Sequence, residues 1–276
     1  MKTDWKAGFI GGGNMASALI GGMAGKVTPG SHIHVVDLNP DTLASLANRF
    51  GVTTSSVMDT RLAACDVLVL AVKPQQIRDV VASLLPHIDQ QLILSVAAGI
   101  RTTDLSRWTQ GYGRIVRTMP NTPSLVGQGV TGLFAMDGVT QEQKQAAQAI
   151  MQAVGMTLWV DSESLLDTVT AISGSGPAYV FYFIEALQEA GKALGLSENQ
   201  AAQLALATFR GASELAVQST DSVSVLREKV TSPGGTTFAA LSVMEESGLK
   251  KHIIAAAKAA AARSIELGEE FGKNAG

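Results

Sequence analysis

Short apolar runs closed by glycine or proline alternate with stretches of helical spacing over the first half of the chain. Residues 6–10 (KAGFI) form such a run, ending at Gly11, and predict a buried strand. Met15, Leu19 and Met23 then recur at helical spacing over 14–24. Residues 32–37 (HIHVVD) predict a second strand, bounded by Pro29-Gly30 and Asn39-Pro40, and Asp41 is placed to cap a helix running to Phe50. Further strands are expected over 66–72, 92–96 and 114–119, stopped by Pro74, Gly99 and Pro120, with a helix over 75–85 ahead of Pro86. Continuous apolar strands separated by helices are the pattern of a parallel sheet covered on both faces. From about Asp161 onward the pattern predicts no strand. Ala-rich helical segments over 177–194, 199–218 and 249–271 replace it. The small side chains of the last one (IIAAAKAAAARSIEL) suit close approach by another helix, as at a subunit contact.

Composition narrows the function classes. The 276 residues are 46% hydrophobic, which excludes a disordered chain. Lys+Arg 21 against Asp+Glu 24 gives a net charge of −3 and no basic run, so no nucleic-acid partner is expected. One cysteine, Cys65, rules out a disulfide scaffold. The histidines (His32, His34, His87 and His252) form no HExxH, and no metal site is expected. Residues 7–25 are mostly apolar, but Gly11 to Asn14 interrupt them. They read as a strand entering a glycine turn rather than as a signal peptide or membrane span, so the expected compartment is the cytoplasm, with no membrane partner.

The strongest chemical signal is Gly11-Gly12-Gly13-Asn14-Met15-Ala16, a GxGxxG/A pattern that follows a predicted strand and opens a helix. Gly11 permits the tight turn, Gly13 lets the backbone approach a pyrophosphate, and the helix-start N–H groups bind the anion. Asp37 closes the second strand, about 20 residues beyond the glycines, where a carboxylate commonly binds the adenosine ribose of NAD and repels a 2′-phosphate. Asp37-Leu38-Asn39-Pro40 also reads as a turn, and Asn39 with main-chain groups offers polar contacts there. The fold class is therefore α/β: a Rossmann-type dinucleotide-binding domain over 1–162 and a C-terminal all-helical domain over 163–276.

Three further clusters sit at strand ends or helix starts. Ala71-Val72-Lys73-Pro74 and Met119-Pro120-Asn121-Thr122-Pro123 lie at carboxyl ends of strands, the edge where open α/β sheets bind ligands. Taken singly, each also reads as a plain loop or a rigid corner. Thr231 to Thr237 (TSPGGTT) packs hydroxyls and a glycine pair ahead of a helical segment, a second anion site of the helix-start kind. A carbonyl reductase needs a proton donor, and within the two helical-domain clusters, Ser173 to Tyr179 (SGSGPAY) and TSPGGTT, Tyr179 is the one acidic side chain. A substrate carrying its own proton, such as a cyclic iminium, needs none, which points toward C=N reduction.

In order, GFIGGGNMA, AVKPQ, AAGI, MPNTP, SGSGPAYVF and TSPGGTT resemble the pyrroline-5-carboxylate reductase family, from about residue 8 to 270. The resemblance implies reduction of 1-pyrroline-5-carboxylate to proline with NADH or NADPH, the last step of proline biosynthesis. It also implies a helical domain that interlocks with a partner into a homodimer, some members assembling further into decamers. By resemblance, Gly11, Gly13, Asn14 and Met15 match the pyrophosphate loop. Ala71, Lys73 and Pro74, with Val72 between them, match the nicotinamide side, with Asn121 nearby. Val230, Ser232, Gly234, Gly235, Thr236 and Thr237 match the substrate loop, Thr237 matching the threonine proposed to hydrogen-bond the imine nitrogen. Family members that prefer NADPH often carry Ser, Thr or Arg where this chain has Asp37-Leu38-Asn39-Pro40. Two rival readings stand beside this one. A β-hydroxyacid dehydrogenase would carry a catalytic Lys early in the helix after Gly176, where this chain has none until Lys192. A non-catalytic dinucleotide sensor would have no use for the substrate loop.

Overall fold

The computed structural model describes residues 5–273; the outermost ends of both expected domains, residues 1–4 and 274–276, lie outside the described residues. In chain order the elements are β1 (Ala7–Ile10), α1 (Asn14–Met23), β2 (Ile33–Val36), α2 (Pro40–Phe50), β3 (Thr53–Ser55), β4 (Val67–Leu70), α3 (Ile77–Leu84), β5 (Leu92–Ser95), α4 (Thr102–Trp108), β6 (Ile115–Met119), β7 (Gly129–Ala135), α5 (Gln141–Gln152), β8 (Gly155–Trp159), α6 (Leu165–Val169), α7 (Gly176–Ala193), α8 (Glu198–Gln218), α9 (Val223–Lys229), α10 (Thr236–Glu246) and α11 (Leu249–Lys273). The chain divides into two compact units: one running to Ser175 and resuming at Ala260, the other Gly176–Ala259. The expected boundary at 162/163 lies upstream of this division, because α6 and the π-helical turn Thr170–Gly174 belong with the first unit.

The first unit holds an eight-stranded sheet in the order β3-β2-β1-β4-β5-β6-β7-β8. Strands β1, β2, β4 and β5 are buried at every residue, which is why their sequences are apolar runs, His34 in β2 and Ser95 in β5 being the polar exceptions. Alternation sends Phe9, Val67 and Val69 into a core with α1 and α5, and Leu68, Leu70 and Ile93 into a second core with α3 and α4. The sheet departs from the all-parallel expectation at one seam. β7 runs antiparallel to β6, and β8 lies parallel to β7. A second difference concerns α2, whose cap is Asn39 rather than Asp41. Asn39 Oδ1 accepts from the N–H groups of Asp41 and Thr42, at 2.9 and 3.2 Å.

A buried ion network fixes the chain ends of this unit. Arg117 on β6, 3% exposed, places Nη1 3.0 Å from Glu163 Oε1. The Glu163 carboxylate also accepts from Thr102 N and Thr102 Oγ1, both at 2.7 Å, and so caps α4 from outside the helix. Ser264 of α11 donates to Asp167 Oδ1 at 2.7 Å. One and two turns further along α11, Gly268 and Gly272 keep the helix close. A Cβ on Gly268 would lie 3.3 Å from Gly99 O, and one on Gly272 would lie 3.0 Å from Asp104 Oδ2.

The second unit is helical, as expected. α7 and α8 pack as a pair, close enough that a Cβ on Gly191 would come within 3.0 Å of Ala201 Cβ. Ser197 and Gln200 form a capping box at the start of α8. Burial is sparse: Ile184, Ala201 and Ala205 are buried, while α9 and α10 bury no residue.

Candidate dinucleotide turn and substrate loop

β1 and β4 are neighbours in the sheet, yet their outer neighbours β2 and β5 lie on opposite sides. This switch of direction opens a crevice at the carboxyl ends of the strands, the usual ligand position in such sheets. The glycine turn emerges there. Gly11 has φ +100°, donates to Val36 O at 2.8 Å, and would bring a Cβ to 2.6 Å from Ala71 O. Gly11, Ala71 and Val72 are thus in contact, and only glycine fits the first position. A Cβ on Gly12 would reach Thr42 Cγ2 at 2.8 Å and Leu46 Cδ1 at 3.0 Å, so the middle glycine lets α2 pack on the turn. Ala16 is fully buried where helix meets sheet. Gly13 differs from its neighbours: a Cβ there would meet nothing within 4 Å. It is the N-cap of α1, which has no side-chain cap and no acid in its first turn. Asn14 and Met15 open the helix, whose first N–H groups have no intrahelical partner. An open, uncapped helix start with room in front of it fits the phosphates of a dinucleotide.

Asp37 is tied into the same turn. Its Oδ2 accepts from Gly12 N at 2.6 Å and its Oδ1 from Asn39 N at 2.8 Å. The carboxylate therefore shapes the turn, each oxygen keeping a second lone pair for a ribose hydroxyl. Asn39 is exposed, with its Oδ1 engaged as the α2 cap. Lys73 is exposed at the end of β4, ahead of a 3₁₀ turn opened by the half-buried Pro74. Asn121 is buried, and its amide is committed to the protein: Nδ2 donates to Ser173 O at 3.0 Å, and Oδ1 accepts from Val130 N at 2.9 Å. It joins β7 to the π-helical turn. Gly12 has no part in the fingerprint pattern itself, although a third small residue inside the motif is a signal of close packing.

The second cluster lies in the other compact unit. Val230 ends α9 and is 62% exposed. Thr231 Oγ1 donates to Arg227 O at 2.6 Å, and Gly235 N to Ser232 O at 3.0 Å, closing a tight loop in which Gly234 takes φ +70°. Gly235 is the N-cap of α10, again with no side-chain cap and no acid in the first turn. Thr236 and Thr237 form the first helical residues, Thr236 exposed and Thr237 half-buried. By contrast α2, α5, α8 and α9 are capped by their own Asn39, Thr140, Ser197 and Ser222. Among the described residues no group of three or more His, Cys, Asp or Glu could hold a metal ion.

Comparison with known proteins agrees along the chain. Residues 6–99 match the family described as NADP oxidoreductase coenzyme F420-dependent, and residues 163–267 match pyrroline-5-carboxylate reductase dimerisation. The pyrroline-5-carboxylate reductase of Pseudomonas aeruginosa is 41% identical, covering 96% of this chain and 97% of its own. A solved pyrroline-5-carboxylate reductase from Coxiella burnetii superposes with a TM-score of 0.91 at 42% identity, covering 95% of this chain and 98% of its own. The NADP-bound pyrroline carboxylate reductase of Plasmodium falciparum gives 0.85 at 31% identity, with 96% and 99% covered. With 41% identity over an alignment that spans 96% of its residues, this chain belongs to the pyrroline-5-carboxylate reductase family.

Proposed function

We infer that this chain reduces 1-pyrroline-5-carboxylate to proline with NADH or NADPH, closing proline biosynthesis, and that it acts in the cytoplasm as a homodimer. One observation carries the reading. The helices α1 and α10 each start behind a glycine with no side-chain cap and no acid in the first turn. Each suits an anion, one the pyrophosphate of a dinucleotide and the other the carboxylate of a small substrate. Self-association fits the thin core of the second unit, where Phe181, Tyr182 and Val217 are all more than half exposed. No described helix is long and apolar enough to cross a membrane.

Gly11, Gly13, Asn14 and Met15 hold the pyrophosphate, with Asp37 and Asn39 at the adenosine ribose. Ala71, Val72, Lys73 and Pro74 line the nicotinamide side, and Asn121 braces the strand end behind them. The bound dinucleotide supplies the hydride that reduces the imine carbon. The substrate carboxylate rests at the start of α10, on the N–H groups of Gly234 and of Thr236 and Thr237 in the first turn, with Gly235, whose own N–H is held by Ser232 O, shaping the loop and Val230 and Ser232 around it. Holding the ring this way contributes mainly through orientation. Thr237 hydrogen-bonds the imine nitrogen, and because an iminium carries its own proton, a hydroxyl suffices where a carbonyl would need a stronger acid. Thr237→Ala is expected to lower kcat/KM by roughly tenfold to a hundredfold, the worth of one hydrogen bond to a charged group. Dinucleotide affinity, measured by fluorescence titration, should stay at the wild-type value. Wild-type turnover would remove Thr237 from the site, and weakened dinucleotide binding with intact chemistry would move the loop to the cofactor side.

A further inference from the structure

β8, one of the two edge strands of the sheet, is apolar on a face that the described residues leave more than half exposed. Thr157 and Trp159 of β8 turn toward α5, where Trp159 Nε1 donates to Gln148 Oε1 at 3.0 Å. Met156 and Leu158 turn the opposite way and are 59% and 52% exposed. One strand further in, that same face is covered by α6. Gly132 pairs with Leu158, and a Cβ on Gly132 would lie 2.8 Å from Val169 Cγ1 and 3.0 Å from Leu166 Cδ2. α6 therefore caps β7 and stops short of β8. The bare patch continues onto the π-helical turn, where Ile172 is 62% exposed. The link is Asn121, which joins Ser173 O to Val130 N, and Val130 pairs with Met156.

Edge strands of stable monomers are usually blunted by charge, proline or a covering element, yet β8 reads Gly-Met-Thr-Leu-Trp with no charged residue or proline. Ile172 and α6 fall inside the segment 163–267 that matches the family's dimerisation region, whereas β8 falls just before it. We propose that a second copy of this chain covers the Met156–Leu158 face of β8. The interface between copies then runs without a break from the matched segment onto the last strand of the dinucleotide-binding sheet. This rests on the self-association inferred above and adds a surface outside the matched segment.

Met156→Cys tests it directly. The native Cys65 is buried, with its thiol pushed up to about 11 chiefly by burial, so the new thiol is the reactive one. Alkylation of Met156→Cys should run at least about tenfold slower in the associated protein than after dilution below its dissociation constant. Leu158→Glu should raise that constant at least about tenfold in sedimentation velocity, with dinucleotide affinity unchanged as the check on folding. Should Leu158→Glu fail to fold, the alkylation measurement decides alone. An associated protein whose Met156→Cys reacts like a free surface thiol overturns the proposal and leaves the homodimer standing. A wild-type chain that stays monomeric at micromolar concentration overturns both.

Discussion

The two helix starts at α1 and α10 use the same device in opposite settings. At α1 the turn is built into a closed scaffold: Gly11 is pressed on Ala71, Gly12 donates to Asp37, and the strands on either side are fully buried. At α10 the loop closes on itself through short hydrogen bonds, and the helix behind it buries no residue. The same chemistry, bare N–H groups at an uncapped helix N-terminus, is therefore held rigid by its own unit in one case only. The helical unit has too few buried side chains to match that alone, as expected of a small segment that gains its core by association. Substitutions at the packed positions of the first turn, Gly11 and Gly12, should register as stability, and those in the second loop as turnover.

The largest effect is expected away from both turns, in the ion network of the sheet unit. Glu163→Ala leaves the buried Arg117 with one carboxylate at 3.9 Å and strips the cap from α4, so urea unfolding should show a loss of about 3–5 kcal/mol. A loss below about 1 kcal/mol would mean that solvent replaces the carboxylate. Gly11→Ala comes next. The new Cβ meets a backbone carbonyl at a positive φ, so about 2–4 kcal/mol of stability should go together with dinucleotide binding. Thr237→Ala, with its tenfold to hundredfold deficit, should leave the melting temperature untouched, and a lowered Tm would show the loop to be structural after all. Gly13→Ala separates space from strain at the first turn. Nothing in the protein meets the added methyl, so stability should hold within about 0.5 kcal/mol while the dinucleotide Kd rises about tenfold, some 1.4 kcal/mol. The smallest change is expected for Asp37→Ser, which removes the charge facing a 2′-phosphate. The ratio of kcat/KM for NADPH over NADH should rise several-fold, and an unchanged ratio would leave Asp37 as a turn residue only.

What was legible in the chain follows from burial. β1 and β4 are apolar throughout, and β5 is apolar up to Ser95, because both faces are covered, and that pattern survives in a single sequence. β7 and β8 are not legible in the same way. They contain glycines that read as loop signals but are packing contacts: a Cβ on Gly155 would collide with Gly129 O, and one on Gly132 with Val169. α5 has its one local marker in Thr140 and Gln143, which spell a capping box that the structure forms. The seam at which β7 reverses has no local marker, since strand direction is set by which neighbour a strand meets.

The α/β-then-helical order, the glycine turn and the hydroxyl-rich loop are written in local sequence, because each depends on a few adjacent residues and their backbone freedom. Long-range packing sets the rest: Asp37 braces Gly12, Asn121 is spent on joining two segments, and α11 returns its last turns to the sheet unit. Those outcomes depend on partners far apart in the chain, and no local pattern of polar and apolar residues encodes which distant group a buried donor or acceptor will meet.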